Sequence, residues 1–234
     1  MLWDLRERKP VRTELMKHEA AKWASISMFL LMLMTQRAWG GTVEGRVSRG
    51  NSRTELSTVV VSVEDLNGPF QTSEEPAKAK EMDQKGLRFV PHVLPILAGT
   101  TVDFPNSDPV SHNVFSISAT KRFNLGLYGR GMKRSIRFDQ PGIVELLCNV
   151  HMEMSGYIVV LKNPYFAQAG ADGDFRIQGV PAGRHRLRCW SENSPVQEEE
   201  IDVPSEGTVN VNFDLSSRPH ENKDSRSGGK ISRR

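Results

Sequence analysis

The sequence predicts an all-β protein, on three observations. Short runs rich in β-branched residues recur along most of the chain, Gly and Pro punctuate them, and after residue 40 no stretch carries the sustained 3.6-residue period of an amphipathic helix. Thr42–Val47 (TVEGRV) alternates apolar and polar positions, and Thr58–Val63 (TVVVSV) is a β-branched run. Residues 67–81 are polar with Gly and Pro, the composition of a loop or linker. Strands are expected again at Gly86–Val90 and Thr100–Phe104. Phe138–Cys148 holds a Pro141-Gly142 turn feeding a strand, and Tyr157–Leu161, Asp174–Ile177, His185–Trp190 and Val209–Leu215 complete the pattern. Many short strands of this kind build one β-sandwich or two.

The length of 234 residues suits one medium domain or two small ones. Residues 1–40 hold 7 Lys/Arg against 4 Asp/Glu and residues 217–234 hold 6 against 2, which leaves 18 against 22 for residues 41–216. A body of that sign carries no electrostatic footprint for nucleic acid. Ala24–Met34 (ASISMFLLMLM) is an apolar run of eleven residues behind a basic segment and ahead of Ala38-Trp39-Gly40. A bilayer span takes about 20 residues, so this run reads as the core of a secretory signal cut after Gly40, with no transmembrane span in the mature chain. The expected location is the periplasm or another exported compartment. Residues 1–15 make a long, highly charged leader, whereas a start at Met16 gives a signal of ordinary proportions. The native chain is therefore predicted to begin at Met16, and a tryptic peptide from residues 1–15 in cell extracts would contradict this. Residues 217–234 contain one aliphatic side chain, Ile231, and are expected to be a disordered basic tail.

The chemistry concentrates in Cys148-Asn149-Val150-His151-Met152-Glu153-Met154, a C-x-x-H-x-x-M cluster, with His112 upstream in PNSDPVSHNVF. One thiolate, two imidazoles and one thioether match the His₂Cys set with a weak axial Met of a mononuclear blue-copper centre. Val144, Leu146 and Cys148 alternate onto one strand face. A tight loop from Asn149 to Ser155 then brings three ligands round one ion, with His112 reaching in from an earlier strand. Asn113, beside the first ligand, is positioned to bond across to that loop and stiffen it. Two alternatives stand beside this reading. Cys148 and Cys189 form a disulfide, or Met154 is an ordinary core methionine and Met152 competes as the thioether. No His-x-His pair, nucleophile–base cluster, phosphate loop or paired-carboxylate motif points to an enzyme.

These residues resemble the cupredoxin family, and the ligand loop is similar to the amicyanin type. The run from Phe89 to Ala167, with PNSDPVSHNVFS, FDQPGIVELLCNVHMEM and GYIVVLKNPYFA, resembles exported plastocyanin-like proteins of the methylamine-utilisation-like group. The resemblance implies that His112, Cys148, His151 and Met154 bind one copper ion cycling between Cu(I) and Cu(II). It also implies that His151 is the electron exit, through an apolar patch for which Pro105, Pro109 and Met152 are the candidates. The implied function is single-electron transfer with a redox protein partner in the cell envelope. Copper storage, delivery or sensing, and a structural module with a vestigial site, are the rivals.

Ala169–Trp190 (AGADGDFRIQGVPAGRHRLRCW) resembles a small transthyretin-like, carboxypeptidase-regulatory β-sandwich. Such modules open with a G-x-V-x-G-x-V strand and a V-x-V-x-V strand, which here stand far upstream at Thr42–Val47 and Thr58–Val63. Two arrangements are open. Either a cupredoxin Greek-key sandwich of about residues 70–163 is inserted into a sandwich started by residues 41–66, or residues 41–163 and 164–216 are tandem domains. Pairing of Val59–Val63 with Phe175–Ile177 favours insertion, and pairing with Gly86–Val90 favours tandem. The Asp172-Gly173 pair is expected at a hairpin turn.

Overall fold

The structure, a computed structural model, describes residues 40–50, 54–66 and 79–216, and the signal, start-site and tail expectations lie outside them. It is all-β. The strands are β1 (Gly41–Ser48), β2 (Val60–Val63), β3 (Lys80–Glu81), β4 (Asp83–Gln84), β5 (Phe89–Val90), β6 (Val93–Leu97), β7 (Thr100–Pro105), β8 (His112–Ser116) and β9 (Phe123–Tyr128). They continue as β10 (Lys133–Phe138), β11 (Gly142–Leu147), β12 (Ser155–Leu161), β13 (Phe166–Gln168), β14 (Asp174–Val180), β15 (Gly183–Ser191), β16 (Ser194–Val203), β17 (Thr208–Asn210) and β18 (Phe213–Asp214). One 3₁₀ turn, Leu56–Thr58, precedes β2. No described helix is long and apolar enough to cross a membrane.

Four main sheets share these strands. The first has the order β14-β1-β17, with β18 also pairing β1, and the second has the order β13-β2-β15-β16. Their facing sides enclose a core of Val43, Val47, Val61, Val63, Phe175, Ile177, Leu187, Cys189, Ile201 and Phe213. The third sheet runs β6-β12-β11-β8-β9 and the fourth β10-β7-β3. A second core lies between them, holding Phe89, Ile96, Phe104, Val114, Phe138, Val144, Leu146, Ile158 and Val160 together with Cys148 and Met154.

The chain order nests the second pair of sheets between β2 and β13. Gly45 and Val43 of β1 stand opposite Phe175 and Ile177, while Val60–Val63 pair with Phe166–Gln168 and with Leu187–Trp190. The strand facing Phe175–Ile177 is thus β1 instead of β2. Phe89–Val90 pairs Asp83–Gln84. The predicted strand from Gly86 begins only at Phe89, because Gly86 and Leu87 adopt φ of +64° and +57° and make a turn. Asp172-Gly173 is likewise a turn with positive φ at Gly173, but it joins β13 and β14, which belong to different sheets, and so closes no hairpin. Gly173 is pinned against β1, its carbonyl accepting the Val47 N–H at 2.8 Å.

The two pairs of sheets are packed against each other. A third cluster of Val60, Val93, Val159, Leu161 and Trp190 joins the outer face of the β2–β15 sheet to the outer face of the β6–β12 sheet. Strands β2 and β12 are therefore covered on both faces: Val61 and Val63 point one way and Val60 the other, and Ile158 and Val160 one way with Val159 and Leu161 the other. This accounts for TVVVSV and YIVVL being continuous apolar runs instead of alternating ones. Burying an aliphatic side chain contributes about 1.5–3 kcal/mol, so the four aliphatic side chains of this cluster alone are of the same order as the whole ~5–15 kcal/mol stability of a domain.

Candidate metal centre

Three elements deliver the site. β8 opens at His112, β11 ends at Leu147 immediately before Cys148, and the loop carrying His151 returns the chain to β12. Leu147 pairs with both Phe115 and Ser155, so the ends of these strands are held side by side. Cys148 continues the inward face of Val144 and Leu146, and all three are buried. The loop closes on itself when the Met154 N–H donates to the His151 carbonyl at 3.0 Å.

The donor atoms converge. The Nδ1 atoms of His112 and His151 are 3.0 Å apart, Cys148 Sγ is 3.9 Å from His151 Nδ1, and all three ligand atoms lie within 4.8 Å of one another. With metal–nitrogen bonds of about 2.0 Å and a metal–sulfur bond of about 2.3 Å, one ion inside the triangle needs N···N of about 3.0–3.5 Å and N···S of about 3.8 Å. The two sides of the triangle that meet at His151 match these values for a single ion. His112 is fully buried, Cys148 is 4% exposed and His151 is half-buried. Met154 is 1% exposed and shares the core of Cys148, whereas Met152 is 92% exposed. Cys148 and Cys189 are both free thiols, so the disulfide alternative is absent. Cys189 lies in the other core beside Leu187, and burial pushes its thiol up to about 12.

A buried scaffold behind His112 fixes which nitrogen faces the site. Asp108 Oδ2 is 2.7 Å from His112 Nε2, which assigns the ring proton to Nε2 and leaves the Nδ1 lone pair for a metal. The carboxylate is held in turn by the Gly86 N–H at 2.5 Å and the Leu87 N–H at 2.9 Å, both from the turn between β4 and β5. Burial opposes the charge on Asp108, but the Leu87 and Gly86 amides and the His112 imidazole outweigh it and hold the carboxyl below the usual carboxylate range. Asn106 frames the loop: its Oδ1 accepts the Asp108 N–H at 2.9 Å, and its Nδ2 donates to the Val110 and Tyr128 carbonyls, each at 3.0 Å. Gln84 Nε2 donates to the Pro105 carbonyl and the Tyr128 hydroxyl, and burial lifts that phenol to about 12.

Sequence reading passed over Asp108. The signal was present as a carboxylate four residues before His112, in a loop bracketed by Pro105 and Pro109. Replacing Asp108 by Asn removes one of the acceptors that Gly86, Leu87 and His112 share. Metal affinity is expected to fall by about 10–100-fold, the usual cost of losing an outer partner of a ligand, in a competition titration against a chelator of known affinity. Asn113 corrects an expectation. Its Nδ2 donates at 2.8 Å to Asn124 Oδ1 on the neighbouring strand β9 and not to the ligand loop, across the register shift of the β8–β9 pair between Asn113 and Phe115. Of the three patch candidates, Pro109 and Met152 are exposed, whereas Pro105 is half-buried within β7, opposite Lys133.

No family model matches the chain, and no curated protein does. Among solved structures, a copper-containing nitrite reductase from Thermus scotoductus is 29% identical over 36% of this chain and 23% of its own, with a TM-score of 0.35. This chain thus spans about a quarter of that reductase. A purple cupredoxin from Nitrosopumilus maritimus is 26% identical over 35% of this chain and 98% of its own, with a TM-score of 0.32. A reduced single-site variant of amicyanin is 21% identical over 43% of this chain and 97% of its own, with a TM-score of 0.34.

Proposed function

We propose that this chain is an exported type 1 copper protein that carries single electrons and performs no catalytic step of its own. The observation that carries the reading is the convergence of His112 Nδ1, His151 Nδ1 and Cys148 Sγ within 4.8 Å, with the His112 tautomer set by Asp108. A bound copper ion supplies a one-electron couple, and a donor set of two imidazoles and one thiolate suits both oxidation states. The chain's own part is rigidity and exclusion of water. Strand ends fix Cys148 and His112, a buried carboxylate fixes one ring, and the second core encloses Cys148 and Met154. Met154 would be the thioether that helps hold the ion, since it is buried with Cys148 while Met152 projects into solvent.

Electron exchange needs a face that a partner can approach. His151 is half-buried, and exposed apolar side chains flank it in the loop at Val150 and Met152 and flank the His112 scaffold at Leu87 and Val110. The partner is a redox protein of the cell envelope, and the apolar run at Ala24–Met34 supports export. The pairing of β1 and β2 with strands from residues 166–214 supports reading the copper segment as an insertion within the transthyretin-like sandwich. Storage or delivery of Cu(I) is the second reading, favoured by the exposed Met152 thioether beside a ligand. Adding Cu(II) to the purified protein separates them. Intense blue colour with reversible reduction supports electron transfer, colourless Cu(I) uptake supports delivery, and no stoichiometric uptake sinks both.

A further inference from the structure

The transthyretin-like half of the protein reaches the root of the ligand loop. Tyr157 lies on β12, three residues beyond Met154, and its ring meets Trp190 of β15 at 5.5 Å and His92 at 5.7 Å, both edge to face. His92 Nε2 is 2.7 Å from the carboxylate of Glu192, which stands in the turn between β15 and β16. The His92 carbonyl accepts the Tyr157 N–H at 2.8 Å. Gly156 has no room for a side chain: a Cβ there would stand 2.9 Å from Phe89 Cβ and 3.2 Å from the His92 carbonyl oxygen. Burial, with Glu192 and Glu145 nearby, pushes the Tyr157 phenol up, so it stays neutral and able to donate. Gln168 Nε2 adds a bond across the same seam to the Val93 carbonyl at 3.2 Å. The seam thus combines an apolar cluster, one ring contact across it, a His–carboxylate contact and a side-chain-to-backbone bond.

From this arrangement we infer that Trp190 and Glu192 are positioning residues for the metal centre, acting through Tyr157 and His92, and that the two sandwiches form one cooperative unit. Trp190 supports the Tyr157 ring from one side, and Glu192 holds His92 against its edge. Together they fix where β12 leaves the ligand loop, and so where Met154 and His151 stand relative to Cys148. The sandwich built by β1, β2 and β13–β18 is on this account part of the frame of the site and not an appended tether. The positioning role rests on the copper reading given above, whereas the cooperativity does not.

The test uses the whole chain in two arms. Calorimetry of copper-free protein is expected to give one unfolding transition spanning both sandwiches, and two resolved transitions would overturn the single unit whether or not copper binds. In the second arm, wild-type uptake of one Cu(II) with a thiolate-to-copper band is the control, and its failure would sink the copper reading instead. Given that control, Trp190→Ala and Glu192→Ala are expected to weaken copper binding about tenfold, at the low end for partners outside the ligands, and to alter the intensity ratio of the two thiolate-to-copper bands. Trp190→Phe, which keeps a ring against Tyr157, is expected to restore the wild-type ratio. Should Trp190→Ala fail to fold, Glu192→Ala decides. An unchanged band ratio and affinity in the folded alanine variants would overturn the positioning role.

Discussion

Replacing Cys148 by serine is expected to abolish the intense visible absorption of the copper-loaded protein and to weaken copper binding by more than about 100-fold, beyond the range for outer partners. On the proposed copper reading the colour arises from charge transfer between thiolate and Cu(II), and the other described cysteine lies in a separate core. The fold is expected to survive. Cys148 is the last inward residue after β11, and burying a hydroxyl there costs about 1–3 kcal/mol against a domain stability of ~5–15 kcal/mol. Far-ultraviolet circular dichroism should therefore match wild type while the absorption band is gone. A blue Cys148→Ser protein would contradict the assignment of the sulfur ligand.

Gly45→Ala should produce the largest loss of stability, about 3 kcal/mol or more, because the added methyl group meets backbone and not a yielding side chain. Gly45 stands in the middle of β1, opposite Phe175, while the chain from β17 to β18 passes close alongside. A Cβ at this position runs into the Val211 carbonyl and stands 3.2 Å from the Phe175 ring. Relief requires residues 208–214 to move off β1. That movement breaks the bond from the Val211 N–H to the Glu44 carbonyl at 2.9 Å and the bond from the Arg46 N–H to Asn212 Oδ1 at 2.9 Å. A urea titration reads the effect as a lowered midpoint, and a midpoint equal to wild type would show that the final strands do not pack on β1 as described.

How far the sequence disclosed this structure depended on whether the causes were local. The ligand loop was legible because three of its donors fall within seven residues and follow a strand whose inward face is set by alternation at Val144, Leu146 and Cys148. The strands at Thr42–Val47, Tyr157–Leu161 and His185–Trp190 were legible for the same reason, their apolar pattern being written within each segment. Asp108 was not, because its role depends on two backbone amides of a turn more than twenty residues upstream, and a turn with Leu87 at positive φ leaves no Gly-Gly or Asn-Gly signature. Asn113 pointed to the loop by adjacency alone, and the pairing of β8 with β9 decided otherwise. The continuous runs at Val59–Val63 and Tyr157–Leu161 did carry a signal for burial on both faces. Reading it required knowing that a second sheet would cover them, and the partners Trp190 and Val93 come from opposite ends of the described chain's middle and final parts.

The donor triangle is tested most directly by X-ray absorption spectroscopy at the copper edge on protein loaded with one equivalent of copper. The account predicts a single copper with one sulfur at a short, thiolate-type distance and two imidazole nitrogens, the sulfur component vanishing in Cys148→Ser. A shell of nitrogen and oxygen alone, identical in wild type and variant, would show that His112, Cys148 and His151 do not close on one ion.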